Sequence, residues 1–136
     1  MVQKDIREDF VAAVVKASQA MQPGDPLQME TQIGAINSAA QLSQNLAILE
    51  QARSEGGEIR LGGTRSLEET GGFYMGPTIV DRVKETDTLF QKEVFGPVLA
   101  VTTFEDEEAA VSLANGTEYG LAAGIWTSNL SRAHRM

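Results

Sequence analysis

The chain has 136 residues, 42% of them apolar, which is enough for one ordinary domain with its own core. Nineteen acidic side chains against 11 basic ones leave a formal charge of −8, and no cluster of Lys and Arg exists, so no nucleic-acid partner is expected. Cysteine is absent, which removes disulfides, thiolate metal sites and cysteine nucleophiles from this chain's own chemistry.

In chain order, Asp5 to Met21 reads as an amphipathic helix. Ile6, Phe10, Val14, Ala17 and Met21 share a stripe that Val11 and Val15 widen. Pro23-Gly24-Asp25-Pro26 ends it, and a polar loop runs to Asn37. A second helix starts at Ser38. Ser38 and Gln41 have capping-box spacing, with Ala39, Leu42, Leu46 and Leu49 on the buried face and Gly56-Gly57 at the end. Glu58 to Leu61 reads as a short strand with Ile59 and Leu61 on one side. Residues 64–77 read as loop, Thr78 to Val83 as a strand, and Lys84 to Gln91 as polar with one helical turn. No phosphate-cradling glycine motif is present.

Glu93-Val94-Phe95-Gly96-Pro97 follows, and then Val98 to Phe104, a nearly continuous β-favouring run of the kind buried on both faces. In extended backbone Glu93 and Phe95 project to one side. They offer an acceptor and an apolar plate, suited to a sugar diol beside a flat ring; the plainer reading is a surface Glu and a core Phe where a strand begins. The acidic run Glu105 to Glu108 suits the start of a helix over Ala109 to Asn115. Leu121 to Thr127 reads as a buried strand, joined to Val98–Phe104 by a right-handed crossover, and Ser128-Asn129 caps a last helix. The single histidine, His134, reads as a surface residue, and no metal site is expected. No membrane span or signal peptide is evident, so the cytoplasm is the expected compartment. The fold class is α/β.

The order and wording of these segments resemble the NAD(P)-dependent aldehyde dehydrogenases. Four stretches carry the resemblance: Gly24-Asp25-Pro26 with Ile33-Gly34; Gly72-Phe73-Tyr74 with Pro77-Thr78; Glu93 through Val98; and Leu113-Ala114-Asn115 through Tyr119-Gly120-Leu121-Ala122-Ala123. Asn129 to Ala133 continues the pattern, and the match covers essentially the whole chain. It implies residues 1–136 form a single partial catalytic domain, with a mostly parallel sheet flanked by helices. The dinucleotide-binding domain and the oligomerisation segment are then largely absent.

The resemblance also implies roles. Glu93 would hold the nicotinamide ribose hydroxyls, Phe95 would pack beside the nicotinamide, and Gln41 would lie near the cofactor, NAD or NADP. A capping role explains Gln41 equally well. Family members oxidise a small aldehyde through a Cys thioester, and the nucleophile belongs upstream of this chain. The remainder of its own polypeptide is therefore the expected partner, with a homo-oligomer when complete. The chain departs from the common pattern at Ala35, Gln44 and Gly116, where Pro, Lys and a polar residue are usual. The alternative is a stand-alone nucleotide-binding or scaffold module without catalysis. A truncated domain of this kind is expected to expose apolar faces.

Overall fold

The computed structural model describes residues 1–136. The strands are β1 (Val2–Gln3), β2 (Glu58–Leu61), β3 (Arg65–Ser66), β4 (Tyr74–Met75), β5 (Thr78–Asp81), β6 (Val98–Ala100) and β7 (Thr103–Phe104). The helices are α1 (Arg7–Gln19), α2 (Ala39–Ser54), α3 (Thr88–Gln91), α4 (Glu107–Ala114) and α5 (Leu130–Arg135). The architecture is α/β with mixed pairing: β5–β6 and β1–β7 are parallel, β2–β5 and β3–β4 antiparallel.

Strand β5 organises the interior because its side chains alternate between two apolar clusters. Val80 faces a cluster with Leu42, Leu49 and Ala52 of α2, plus Met75, Val83 and Leu89. Ile79 faces a second one with Val2, Val11 of α1 and Val101. All four β5 residues are buried, as a strand covered on both sides by helices requires.

Helix α1 buries only one edge of the expected stripe, the one formed by Val11, Val14 and Val15. Val11 is fully buried with Val14 and Val15 packed beside it, while Ile6 (53%), Phe10 (40%) and Met21 (43%) stay exposed. Arg7 lies one turn before Val11 and hydrogen-bonds the buried Asp81 carboxylate at the end of β5. That tertiary contact helps hold the Val11 edge inward, and it is not readable from apolar periodicity.

Ile59 and Leu61 were expected on one side of β2. A bulge between them shifts the register, so Ile59 packs on the α2 side and Leu61 on the α1 side. The 64–77 segment is more ordered than its glycines suggest: β3 and β4 pair around a short 3-10 turn at Glu68–Thr70.

The run from Val98 to Phe104 is not one doubly buried strand. β6 is an edge, bonded only to β5, and Leu99 is 43% exposed. The chain then leaves that sheet, and Thr103–Phe104 pairs with β1 instead. The expected strand over 121–127 does not form. Leu121 and Trp126 are almost fully exposed, and without a ladder partner a β-favouring run has nowhere to place its N–H and C=O groups except water. The crossover proposed for that pair is therefore absent, and the parallel crossover here runs from β5 through α3 to β6.

Helix ends follow local chemistry more faithfully. Ser38 accepts from Gln41 N–H at 3.2 Å, Asp106 from Ala109 N–H at 2.8 Å and Asn129 from Arg132 N–H at 3.1 Å. Gly56 adopts φ +98° after α2, as that helix stop demands. No helix is long and apolar enough to cross a membrane.

Helix α5 is held by Glu107, whose carboxylate receives Arg132 Nε at 3.0 Å and both Arg135 Nε and a terminal guanidinium nitrogen at 2.8 Å. The hydrogen bond from Arg135, then that from Arg132, lowers the Glu107 carboxyl from its ordinary 4.5 to about 2. A lowered folded-state value stabilises docking above about pH 4.5 and loses that contribution as pH falls through about 2. Docking of α5 should therefore weaken across that window, and high salt should weaken it at neutral pH because the pair is exposed. Amide exchange of residues 130–135 against pH and salt checks this.

Candidate cofactor site

The site is built where the Glu93–Pro97 loop meets the first turns of α2. Helix α3 delivers the loop. Its first turn is capped from α2's end, with Glu55 accepting Thr88 N–H at 2.8 Å and Thr88 Oγ1 at 2.7 Å. A hydrogen bond from Gln51 Nε2 at 2.8 Å, and then those from Thr88, hold the Glu55 carboxyl below its ordinary value.

The loop itself is not extended. Gly96 N–H bonds Val94 C=O at 2.9 Å and Val98 N–H bonds Gly96 C=O at 2.8 Å, two successive three-residue turns. The expectation that Glu93 and Phe95 share a side by strand alternation therefore fails as an argument. What the turns do is project the Phe95 ring, 67% exposed, onto an open cleft of about 530 Å³. Gln41 and residues 35–37 line the same cleft. Glu93 is exposed beside this lining and not part of it, and its N–H is tied to the Tyr119 hydroxyl at 3.4 Å. The Ala35–Asn37 part of the lining is anchored where Ile36 N–H donates to the Phe73 carbonyl at 2.7 Å.

Gln41 completes only half of the expected capping box. Its backbone N–H uses Ser38, but its side chain does not reach back; it donates Nε2–H to Asn45 Oδ1 at 2.8 Å. Asn45 is fully buried and donates Nδ2–H to the Phe95 carbonyl at 3.0 Å, 50 residues away. A buried amide left unbonded costs about 1–3 kcal/mol, so these bonds hold the helix and loop together. Gly96 makes the approach possible, because a Cβ there would sit 2.4 Å from Asn45 Nδ2.

Sequence reasoning missed Asn45. The signal was available: Leu42, Asn45, Leu49 and Ala52 recur at helical spacing, and an amide inside such a stripe must bond something. It missed Asp81 as well, which binds Arg7 and Arg60 away from the cleft. His134 sits on exposed α5, and no group of three or more His, Asp or Glu could hold a metal ion.

A family profile described as the aldehyde dehydrogenase family matches residues 1–136. The chain belongs to the aldehyde dehydrogenase family. It is 47% identical over 135 residues to a betaine aldehyde dehydrogenase of Cereibacter sphaeroides, covering 99% of this chain and 28% of that protein. It is 42% identical to an acetaldehyde dehydrogenase of Pseudomonas aeruginosa, covering 100% of this chain and 27% of that one. Among solved structures, a variant of the indole-3-acetaldehyde dehydrogenase of P. syringae in complex with NAD+ superposes with a TM-score of 0.96 at 40% identity, covering 98% of this chain and 27% of that chain. The aldehyde dehydrogenase KauB of P. aeruginosa gives 0.95 at 44% identity, with the same coverage. The chain thus spans little more than a quarter of the length of these relatives.

The residues present in this aldehyde dehydrogenase chain fit one end of a nicotinamide cofactor. Phe95 offers an unpacked aromatic face, Gln41 an amide on the same cleft, and Glu93 a carboxylate with no hydrogen bond or ion pair inside the chain. Gln44 is exposed and does not line the cleft.

Proposed function

We propose that this chain forms the nicotinamide-side wall of an NAD(P)-dependent enzyme that oxidises a small aldehyde to a carboxylic acid. The observation that carries the reading is the Phe95 ring held open on the cleft it shares with Gln41. Phe95 packs against the flat ring of the cofactor and limits its tilt, and Glu93 accepts hydrogen bonds from two adjacent ribose hydroxyls. The cofactor, when bound, supplies the hydride acceptor. Gln41 lines the same cleft and offers an amide to polar edges of the ligand.

Family chemistry calls for a thiolate nucleophile, and this chain has no cysteine. The reading therefore assigns the nucleophile, the water-activating base and most of the dinucleotide contacts to further residues of the same polypeptide. The complete enzyme is a cytoplasmic homo-oligomer in this reading. The exposed Leu121, Trp126 and Leu130 are the kind of apolar surface that such added parts cover.

The 136-residue chain alone should give no NAD+-dependent aldehyde oxidation above a no-protein blank. The full polypeptide should turn over, and its Glu93→Gln variant should bind NAD+ about tenfold more weakly, from the loss of charge-assisted bonds to two hydroxyls. Turnover by the isolated chain, or unchanged NAD+ affinity in the Glu93→Gln enzyme, overturns the assignment. Micromolar NAD+ affinity of the isolated chain, read by calorimetry, would favour a stand-alone binding module.

A further inference from the structure

We propose that Asn45 is a positioning residue of the cleft, dictating which atom of the Gln41 amide faces the ligand. The identity of the ligand rests on the aldehyde dehydrogenase reading; the hydrogen-bond logic does not. A backbone carbonyl only accepts. The Phe95 carbonyl at 3.0 Å therefore requires Asn45 to present Nδ2, and Met75 Sδ, a weak acceptor 3.6 Å from the same nitrogen, agrees. Asn45 Oδ1 is left facing Gln41, which must answer with Nε2, as it does at 2.8 Å. Gln41 Oε1 then has no partner in the chain, on a side chain that lines the cleft.

The polarity of one loop carbonyl is thus passed through two amides to the Gln41 side chain on the cleft. Without Asn45, the Gln41 amide could flip at little cost and offer either a donor or an acceptor. With it, one Nε2–H of Gln41 is committed to Asn45 and Oε1 is left as a free acceptor towards the ligand, suited to hydroxyl or amide N–H groups. The same two bonds fix the Phe95 backbone, so the aromatic plate and the acceptor are set as one unit. A merely structural residue at this helix position would be served by leucine, as at Leu42 and Leu49. Asn45 has the branched shape of leucine and adds only the polarity.

Two measurements decide the matter. The first is side-chain amide NMR of the 136-residue chain without ligand. The Gln41 Nε2 protons should be protected from exchange, and Asn45→Leu should abolish that protection while the melting transition stays cooperative. Unprotected Gln41 protons in the unsubstituted chain overturn the inference. The second is NAD+ titration of the full polypeptide. Asn45→Leu should raise the KM for NAD+ about tenfold with kcat changed less than about twofold, and adding it to Gln41→Met should cost little more than Gln41→Met alone. Strict additivity, or an unchanged KM, overturns the inference. Failure of the unsubstituted polypeptide to bind NAD+ strikes the proposed function instead, and the amide experiment still decides the role of Asn45.

Discussion

Gly96→Ala should destabilise the chain by about 3 kcal/mol, near the top of the range for overpacking with disruption of a buried hydrogen bond. The added methyl would lie 2.4 Å from Asn45 Nδ2 and 3.3 Å from its Cγ. A flexible surface side chain would yield, but Asn45 cannot: it is fully buried and tied to both Gln41 and the Phe95 carbonyl. The strain is steric and not conformational, since Gly96 does not adopt positive φ. Urea unfolding measures the effect, and Gly120→Ala is the control. A Cβ at Gly120 meets nothing within 4 Å, so that variant should stay within about 0.5 kcal/mol of the parent. The cleft should suffer with the fold, because the alternative to unfolding is displacement of the loop that carries Phe95. A Gly96→Ala chain as stable as the Gly120→Ala chain would mean that the loop does not sit on Asn45.

The second large effect is expected far from the cleft. Asp81→Ala should cost about 3 kcal/mol, the low end for breaking a buried ion pair. Asp81 has no exposed surface, and its carboxylate receives Arg7 from α1, Arg60 from the bulge of β2, and the N–H of Arg82 at 2.8 Å. Removing it strands two guanidinium groups whose side chains are 16% and 28% exposed, so both can still reach some water. That access puts the expected cost at the low end. The loss should be concentrated in α1, whose docking depends on Arg7, and hydrogen exchange should rise first across residues 7–19. Asp81→Asn, which keeps an acceptor for Arg82 N–H, should lose less. Equal protection of α1 in the parent and in Asp81→Ala would contradict this account of the helix's docking.

These two sites show why parts of the fold were legible in sequence and others were not. Caps and stops are decided by a few consecutive residues: Ser38, Asp106 and Asn129 act on N–H groups three positions away, and Gly56 acts on its own φ. The caps at Ser38 and Asn129 and the stop at Gly56 were read as such; the acidic run was expected only to begin a helix, and Asp106 is the member that caps it. The β5 strand was also expected, over Thr78 to Val83; it forms over Thr78–Asp81, all four residues buried, and stops where Arg82 takes φ +60°. Which edge of the α1 stripe is buried was not legible, because both edges are apolar and the contact of Arg7 with the distant Asp81 favours the Val11 edge. The 121–127 run failed for a related reason. Val98 and Leu121 begin similar β-favouring stretches, yet a strand exists only where a neighbour offers a ladder, and β5 does so for Val98 to Ala100.

The cleft divides in the same way. The residues Glu93 to Pro97 were conspicuous as a motif, and their resemblance to the aldehyde dehydrogenases named the family that the profile then matched. Strand alternation does not hold there, since the loop bends through two tight turns and places Phe95, not Glu93, on the cleft lining. Gln41 was singled out, but its side-chain partner was misjudged, because the competing acceptor is Asn45 one turn along the helix.

What the sequence by itself determined is the family, the α/β class, the helix caps and the absence of any cysteine nucleophile; each depends on residue identity and short spacing. Only the tertiary structure decided which face of α1 is buried, where the β ladders end, and that Asn45 joins Gln41 to the Phe95 loop. Those outcomes depend on partners 50 to 74 residues apart. Buried polar groups such as Asp81 and Asn45 must find partners, and no local pattern in the chain names the distant ones in advance.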